Sequence, residues 1–382
     1  MRDGLFTYAW DLEDEGYDAA VGKIAKAGFA TINLATSYHA GKFLLPHNPR
    51  RRVYFPEDGA LYFNPDLSRY GRIQPRVHSL AEQDRDPVTK LLDAIRPHGL
   101  TYTAWTVCLH NSWLGERYPD TTMHTAFGDP LIHSLSPAHP DVRTYLVSMI
   151  GDLVRRYEVA AIQLESPGYM GFLHGYHHEI IGADLDAVQQ QLLSVSFNPA
   201  EIEGARRAGI DAEGVRARVA GLLDACWNQG VPVMDGDTPA AGVRDLFEDA
   251  DYLAYRAWQT DQVISLAEEV RNAVKAANPN THVLHFAALD GSEADRRLIA
   301  TADEVLSGYA SSDEDARDRA NRAAAFGKPT RGAIRAIAPD MVTPDVVAPR
   351  FAAWENAGVT GVDVYNYGLM PGVMWDAIAK RA

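Results

Sequence analysis

The chain has few cysteines and lacks both long apolar runs and clustered positive charge. Its 382 residues include two cysteines, Cys108 and Cys226, too few for a disulfide framework or a thiolate zinc site. Both lie in apolar segments, so we expect both to be buried. No apolar run is as long as a membrane-spanning helix, and the N-terminus lacks the apolar stretch of a signal peptide. The sequence therefore predicts a cytoplasmic protein with no membrane partner.

Negative charge and missing motifs exclude further classes. The chain has 36 basic and 51 acidic residues, a net charge of −15. The one basic cluster, residues 50–52, is too short to follow a phosphate backbone, so we expect no nucleic-acid partner. The sequence also lacks a GxSxG nucleophile elbow, a P-loop and a glycine-rich dinucleotide fingerprint. These absences disfavour an α/β-hydrolase, a nucleoside-triphosphate enzyme and a doubly wound sheet, and we expect no cofactor.

The sequence does contain a regular alternation of short apolar runs and helical patterns. Apolar residues make up 46% of the chain and charged residues 23%, as in a globular protein with a large core. Helical segments alternate with eight runs of strand character: 5–10, 30–35, 100–108, 159–165, 283–289, 304–308, 330–337 and 361–367. This alternation predicts an α/β protein, a (β/α)8 TIM barrel in which residues 1–382 form a single domain.

Long connections follow the second, third and fourth predicted strands. The aromatic residues of segment 36–86 argue against disorder, and we interpret segment 171–250 as a mainly helical insertion. Segment 251–277 is ambiguous, because its first residues could form a strand. Later in that segment Val263, Leu266 and Val270 have helical spacing, so we predict one long helix, without which the barrel would have nine strands.

Polar and aromatic side chains follow most of the predicted strands. The carboxyl ends of barrel strands form the catalytic face of such folds. Flat rings cover the C–H surfaces of sugars, and short polar groups bind the hydroxyls. We expect these residues to bind a carbohydrate substrate: Trp10, Tyr38, His39, His110, Asn111, Tyr169, His174, His177, His285, Tyr365 and Asn366.

Glu165 is the strongest catalytic candidate. It ends the apolar run Ile162-Gln163-Leu164, and a loop rich in glycine, aromatic residues and histidine follows it. A carboxyl group among apolar neighbours at a barrel mouth has a raised pKa, which suits a general acid. A salt-bridged or capping glutamate is the alternative interpretation.

A glycosidase commonly needs a second carboxylate, about 5 Å away in retaining enzymes and about 6.5–9.5 Å away in inverting ones. Asp290 and Asp363 are the candidates, with Asp235 in the insertion a more distant choice. Asp290 precedes Gly291 and could equally be a turn residue. Asp363 lies within a predicted strand and could instead orient a neighbour.

The histidines after the fourth strand raise the question of a metal. His174, His177, His178 and Glu179 are residue types that bind zinc or manganese. They lack the i, i+4 histidine pair of a helical zinc site. We therefore favour substrate hydrogen bonding or a loop role, and expect no metal site.

Three short motifs resemble glycoside-hydrolase-type barrel proteins of bacteria. They are Phe127-Gly-Asp129, Ser136-Pro-Ala-His-Pro-Asp-Val-Arg143 and Ile162-Gln-Leu-Glu165. The resemblance implies a sugar-directed hydrolase with Glu165 as the acid/base after the fourth strand. It is closest to a group with a His-His-Glu loop and a helical insertion. In that group cysteines are common at four positions that this chain fills with other residues: Ser136, Ser194, Ser196 and Asn198.

The chain departs from the retaining barrels of the large related clan. They place a nucleophilic glutamate after the seventh strand, where the nearest carboxylate here is Asp340. This departure leaves an inverting mechanism, an unusual partner such as Asp290, or no hydrolysis. The open functions are a glycoside hydrolase, a non-catalytic carbohydrate-binding barrel, and a metal-dependent sugar isomerase, epimerase or lyase.

Overall fold

Eight parallel strands close into a barrel at the centre of the structure, a computed structural model that describes residues 2–82, 85–176, 178–287, 289–341 and 343–381. Neighbouring strands in the chain are neighbours in the barrel, and the last strand pairs with the first through Gly4 and Asp363. This arrangement confirms the predicted (β/α)8 fold. The strands are β1 Gly4–Thr7, β2 Thr31–Tyr38, β3 Thr101–Val107, β4 Ala161–Glu165, β5 His282–Phe286, β6 Glu304–Tyr309, β7 Thr330–Arg335 and β8 Val362–Tyr365.

The barrel strands are apolar because helices cover their outer face while side chains fill the interior. All eight residues of β2 are buried, as are all four of β1. Helices lie between the strands and around the barrel mouth. They are α1 Ala9–Glu15, α2 Tyr17–Lys26, α3 Pro87–Ile95, α4 Ser112–Arg117, α5 Pro140–Arg156, α6 Ala187–Leu193, α7 Pro199–Arg207, α8 Ala212–Gln229, α9 Ala241–Phe247, α10 Ala250–Ala277, α11 Glu293–Ala300, α12 Asp313–Ala324, α13 Val347–Asn356 and α14 Gly372–Ala379.

Short polar residues set the helix starts. Asp86 accepts a hydrogen bond from the Thr89 amide, with Pro87 in the first turn of α3. Asp249 caps α10 in the same way, through the Tyr252 amide. Because α10 runs unbroken over 28 residues, the prediction of one long helix is confirmed.

The long loops lie at the carboxyl ends of the strands. After β2, the pair Ala60–Leu61 adds to the edge of that strand, and Phe43–Leu44 pairs with Val53–Tyr54. After β3, α4 precedes a hairpin of Thr122–His124 and Pro130–Leu135. After β4, helices α6 to α9 enclose an apolar cluster of their own.

Two local predictions are wrong. The first strand ends at Thr7, and Ala9 begins α1, so Trp10 lies on a helix; a short apolar run does not distinguish the two structures. Cys108 is buried as expected, whereas Cys226 on α8 is only partly buried and accepts a hydrogen bond from the Gln189 side chain. Within the described ranges, no helix is both long and apolar enough to span a bilayer.

Candidate active site

A cavity of about 660 Å³ opens at the carboxyl ends of the barrel strands. Its wall combines the ends of β2 to β8, the loop after β4 and one residue each of α10 and α11. A sugar ring fits a space of this size, and the wall combines aromatic side chains with a few polar groups. The catalytic face predicted from the strand ends therefore carries a formed cavity.

Glu165 lies in this cavity at the last position of β4. Side chains alternate along a strand, so Glu165 and Gln163 share the inward face while Ile162 and Leu164 pack outward. The indole Nε1 of Trp105, on β3, donates a hydrogen bond to Glu165 Oε2. Burial raises the pKa of Glu165, and the hydrogen bond from Trp105 opposes that rise only in part.

Three tyrosine hydroxyls form a hydrogen-bonded group beside Glu165. Tyr8 donates to Tyr38 at 2.9 Å, and the Tyr8 and Tyr365 hydroxyls are 2.8 Å apart. The Trp105 ring packs against all three, with centroid distances of 5.3, 5.3 and 5.9 Å. Burial raises the pKa of each phenol, so the hydroxyls stay neutral and available as donors.

An ion pair stands where retaining barrels place their second glutamate. Arg335 ends β7, lines the cavity and donates two hydrogen bonds to Asp340, each 2.8 Å long. Its guanidinium lies over the Tyr309 ring, 5.5 Å from the centroid. The hydrogen bonds to Asp340 raise the pKa of Arg335, so the guanidinium stays charged and its charge is balanced by Asp340.

The Gln163 side chain also lines the cavity, one layer below Glu165. It is 2% exposed, and its Oε1 has no hydrogen-bond partner among the described residues. Buried amide groups are nearly always hydrogen-bonded. An unpaired amide in a cavity wall is therefore a position at which a ligand would supply the missing partner.

A row of imidazoles extends from Tyr38 along the rim. The His39 ring stacks on Tyr38 at 4.3 Å and on His110 at 4.2 Å, and His174 meets His110 edge-on at 4.6 Å. Burial lowers the pKa of these histidines, for His110 to about 2, so the row is uncharged at neutral pH. His177, also predicted to bind substrate, lies outside the described residues.

The structure brings some predicted residues together and separates others. Tyr38, Tyr169, His174 and Tyr365 share the cavity with Glu165, and His39 and His110 adjoin it. Neither candidate for the second carboxylate lines the cavity with Glu165. Asp290 is exposed and accepts a hydrogen bond from the Ser292 amide before α11, as a turn residue does. Asp363 is buried near the amino ends of the strands, where both its oxygens bind Arg331 at 2.7 Å.

Four predicted substrate contacts have structural positions instead. Trp10 is buried behind the site and stacks on Tyr8 at 4.2 Å. Asn111 caps α4 through the Leu114 amide and donates to the Gly59 carbonyl. His285 faces the helix layer, with Nε2 2.8 Å from the Thr301 hydroxyl, and buried Asn366 accepts from the Gly368 amide.

Sequence reasoning missed several residues of the wall. Trp105, Gln163, Tyr309 and Arg335 all line the cavity. Tyr309 and Arg335 end their strands, so the rule that found Glu165 would have found them had the strand ends been placed one or two residues differently. Gln163 could have been found from its spacing of two residues before Glu165.

A second buried carboxyl group, Glu201 on α7, was also missed. It accepts hydrogen bonds from the hydroxyls of Ser136 and Ser196 and from the Gln259 amide. Two of the four positions where the resembling group has cysteines thus bind this glutamate. Burial raises the pKa of Glu201, and these hydrogen bonds oppose that effect. In the part of the chain that the structure describes, no three His, Cys, Asp or Glu side chains are grouped to hold a metal ion.

The fold is that of TIM-barrel glycoside hydrolases. The model of the family described as Glycosyl hydrolase-like 10 matches residues 55–286, more than half of the sequence. The chain belongs to the glycosyl hydrolase-like 10 family. No curated protein sequence is significantly similar to it.

Solved structures of glycoside hydrolases share the fold at low sequence identity. The chain aligns over its whole length with α-L-fucosidase isoenzyme 2 from Paenibacillus thiaminolyticus, with 12% identity, a TM-score of 0.61 and 48% of that chain covered. It also aligns over its whole length with the PgaB (BpsB) glycoside hydrolase domain from Bordetella bronchiseptica, with 12% identity, a TM-score of 0.60 and 98% of that chain covered. The catalytic domain of β-amylase from Paenibacillus polymyxa has 10% identity, a TM-score of 0.55 and 98% coverage, against 100% of this chain. The chain thus spans about half of the fucosidase, and these likenesses establish the fold.

Proposed function

We propose that the chain is a glycoside hydrolase in which Glu165 is the general acid/base. The observation that carries the proposal is the position of a partly buried carboxyl group, with a raised pKa, in a sugar-sized cavity at the end of β4. Membership of a glycosyl hydrolase-like family supports the substrate class. We also infer that residues 1–382 form one barrel domain, since β8 pairs with β1.

The surroundings of Glu165 suit proton transfer to a glycosidic oxygen. A raised pKa keeps the carboxyl group protonated nearer to neutral pH, as a general acid requires. The Trp105 hydrogen bond holds Oε2 of Glu165, and no hydrogen bond from a described residue occupies the other carboxyl oxygen. After the proton has left, the same hydrogen bond stabilises the carboxylate, which then serves as the base toward water.

The cavity wall offers the contacts that a sugar needs. The Tyr38 and Tyr365 hydroxyls are neutral donors or acceptors for ring hydroxyls, and the guanidinium of Arg335 is a charged donor. The aromatic faces of Tyr309 and Phe286 line the same space. Such walls bind the polar edge and the apolar face of a pyranose at once.

One feature favours a second candidate function, a barrel that binds carbohydrate without hydrolysing it. Among the described residues that line the cavity, Glu165 is the sole carboxylate. The two-carboxylate mechanism has no second member at this wall, because Asp340 is engaged by Arg335 and the two predicted aspartates lie elsewhere.

The experiment compares wild type with Glu165→Gln across a panel of alkyl glycosides and oligosaccharides, whose poor leaving groups need a proton. Calorimetry measures binding in parallel, and Glu268→Gln, an exposed change on α10, is the matched control. The proposal predicts that Glu165→Gln loses about 10²–10⁴-fold in kcat/KM and keeps its affinity, while the control is unchanged. Binding without turnover in the wild type would favour the non-catalytic barrel, and full activity of Glu165→Gln would contradict the role of Glu165.

A further inference from the structure

The Gln163 amide is a buried polar group that the proposed acid/base chemistry does not use. It is 2% exposed, lines the cavity and has an unpaired Oε1. It lies two residues before Glu165 on the same inward face of β4. When the glycosidic oxygen of a bound sugar contacts Glu165, Gln163 therefore lies next to that sugar, one layer deeper in the barrel.

Among the described residues of the wall, no carboxylate besides Glu165 is present to act as a nucleophile. The phenols of Tyr8, Tyr38 and Tyr365 are neutral because burial raises their pKa values. The carboxylate of Asp340 accepts both hydrogen bonds of Arg335. A displacement at the anomeric carbon that retains configuration then needs its nucleophile from the substrate, as in the substrate-assisted exceptions to the two-carboxylate scheme.

We propose that the reacting sugar carries a 2-acetamido group, whose carbonyl oxygen is the nucleophile and whose N–H donates to Gln163 Oε1. This inference rests on the proposed hydrolase function of Glu165. It assigns a substrate class, 2-acetamido-2-deoxy glycosides, and makes Gln163 a specificity-determining residue.

The remaining wall suits the other parts of an acetamido group. Trp105 is the register partner of Gln163 on β3, and it also lines the cavity. An apolar ring covers the methyl group, and the neutral hydroxyls of Tyr38 or Tyr365 donate to the carbonyl oxygen. The three parts of the group, N–H, C=O and CH₃, thus each have a complementary neighbour.

The reaction balances without any further reagent. The Glu165 carboxyl group gives its proton to the glycosidic oxygen while the bond from that oxygen to C1 breaks and the amide oxygen bonds to C1. The products of this step are the free alcohol, a cyclic oxazolinium ion and the Glu165 carboxylate. Water then attacks C1 and gives a proton to Glu165, and the C1–amide oxygen bond breaks to restore the acetamide.

The test uses matched 4-nitrophenyl glycosides that differ only at C2, in gluco and galacto series and both anomers. We expect Glu165-dependent hydrolysis of a 2-acetamido member at least about 100-fold faster than of its 2-hydroxy counterpart. Replacing acetamide by trifluoroacetamide weakens the carbonyl oxygen as a nucleophile, so we expect a further fall in rate. A thiazoline analogue of the cyclised sugar should bind the wild type in calorimetry.

Variants of Gln163 separate recognition from folding. Gln163→Met keeps the volume and removes the acceptor, so the preference for the 2-acetamido substrate should fall about 10-fold. Gln163→Glu keeps an acceptor oxygen and should keep the preference. Gln191→Met, the same change at an exposed position on α6, should leave both the substrate preference and the folding unchanged.

The possible results test the 2-acetamido assignment and the hydrolase function of Glu165 separately. Glu165-dependent hydrolysis of 2-hydroxy substrates at equal rate, or no effect of trifluoroacetamide, would overturn the 2-acetamido assignment and leave the hydrolase proposal intact. No thiazoline binding by the wild type would overturn the assignment as well. No Glu165-dependent turnover of any substrate would overturn both.

Discussion

At the scale of single residues, the chemistry of Glu165 is set by two opposed effects. Removal from water favours the neutral carboxyl group, and the Trp105 hydrogen bond favours the charged one. Burial is the larger effect, since the net shift of the pKa is upward. Trp105 therefore acts on the reaction through Glu165, as a positioning residue.

Replacing Trp105 by Phe should shift the pH profile of activity. Loss of the indole donor destabilises the Glu165 carboxylate and raises its pKa further. A general acid works in its protonated form, so activity falls as pH rises through that pKa. The descending limb of kcat/KM against pH should move to higher pH.

The matched control for this change is Trp113→Phe, which alters a tryptophan on α4 that does not line the described cavity. It should leave the descending limb in place. A limb that stays fixed or moves to lower pH in Trp105→Phe would show that the indole does not set the protonation of Glu165.

Part of the site could be predicted from the sequence, because strand ends in a barrel meet at one face. Glu165, Tyr38, Tyr169 and Tyr365 follow from that rule. Asp363 does not, because a four-residue strand places its second residue near the amino end, and its partner Arg331 is 32 positions away. Gln163 was missed because apolar neighbours hide a single polar residue within a strand.

At the scale of elements, Glu201 ties the insertion to the barrel. It lies on α7 and accepts hydrogen bonds from Ser136 before α5, from Ser196 before α7 and from Gln259 on α10. Tyr169, in the cavity wall, lies close enough for its hydroxyl to interact with Glu201. The sequence predicted helices in this region but no carboxyl group inside them, since helical spacing alone did not place Glu201 on a buried face.

Glu201→Ala should destabilise the protein. Buried donors on three segments would lose their acceptor, at a cost of about 3 kcal/mol in the free energy of unfolding. Chemical denaturation measures the change. Glu203→Gln, on the exposed side of the same helix, breaks surface pairs with Arg206 and Arg207 and should leave the free energy of unfolding nearly unchanged. Equal effects of the two variants would contradict a central role for Glu201.

At the scale of the whole molecule, the two ends of the barrel differ: a buried ion pair lies near the amino ends of the strands, and the candidate active site lies at the carboxyl ends. The Asp363–Arg331 pair is buried near the amino ends of β8 and β7, and Arg331 also donates to the Arg2 carbonyl at 2.7 Å. The cavity with Glu165 is at the carboxyl ends. The eight-strand alternation could be predicted because strands buried on both faces are apolar throughout, whereas the division of roles between the ends depends on contacts distant in sequence.

Asp363→Asn should lower stability without changing the activity of the folded enzyme. It leaves the Arg331 charge buried without a full partner, which costs about 3 kcal/mol. Thermal unfolding measures the loss, and kcat/KM per folded molecule should equal that of the wild type. A large fall in kcat/KM at a temperature where the variant is folded would return Asp363 to the catalytic candidates.

The overall stability should also depend on pH through Asp11. This α1 carboxyl group is buried, and burial raises its pKa to about 8. The folded state then binds a proton that the unfolded state, with a carboxyl pKa of about 3.9, has released. The contribution is fully present below about pH 4 and is lost as pH rises through about 8.

Asp11→Asn should remove this dependence. Denaturation of wild type and variant between pH 4 and pH 8 measures it, with the variant gaining relative stability as pH rises. A constant difference across this range would mean that Asp11 is ionised normally in the folded protein.

The most direct test of Glu165 as general acid asks how the fall in activity of Glu165→Gln depends on the leaving group of the substrate. Proton donation matters for a poor leaving group such as an alkyl alcohol, and hardly at all for 2,4-dinitrophenolate. Glu165→Gln should therefore lose about 10²–10⁴-fold in kcat/KM with the alkyl glycoside and stay near wild type with the dinitrophenyl glycoside. Equal losses with both, or no loss with either, would contradict the account.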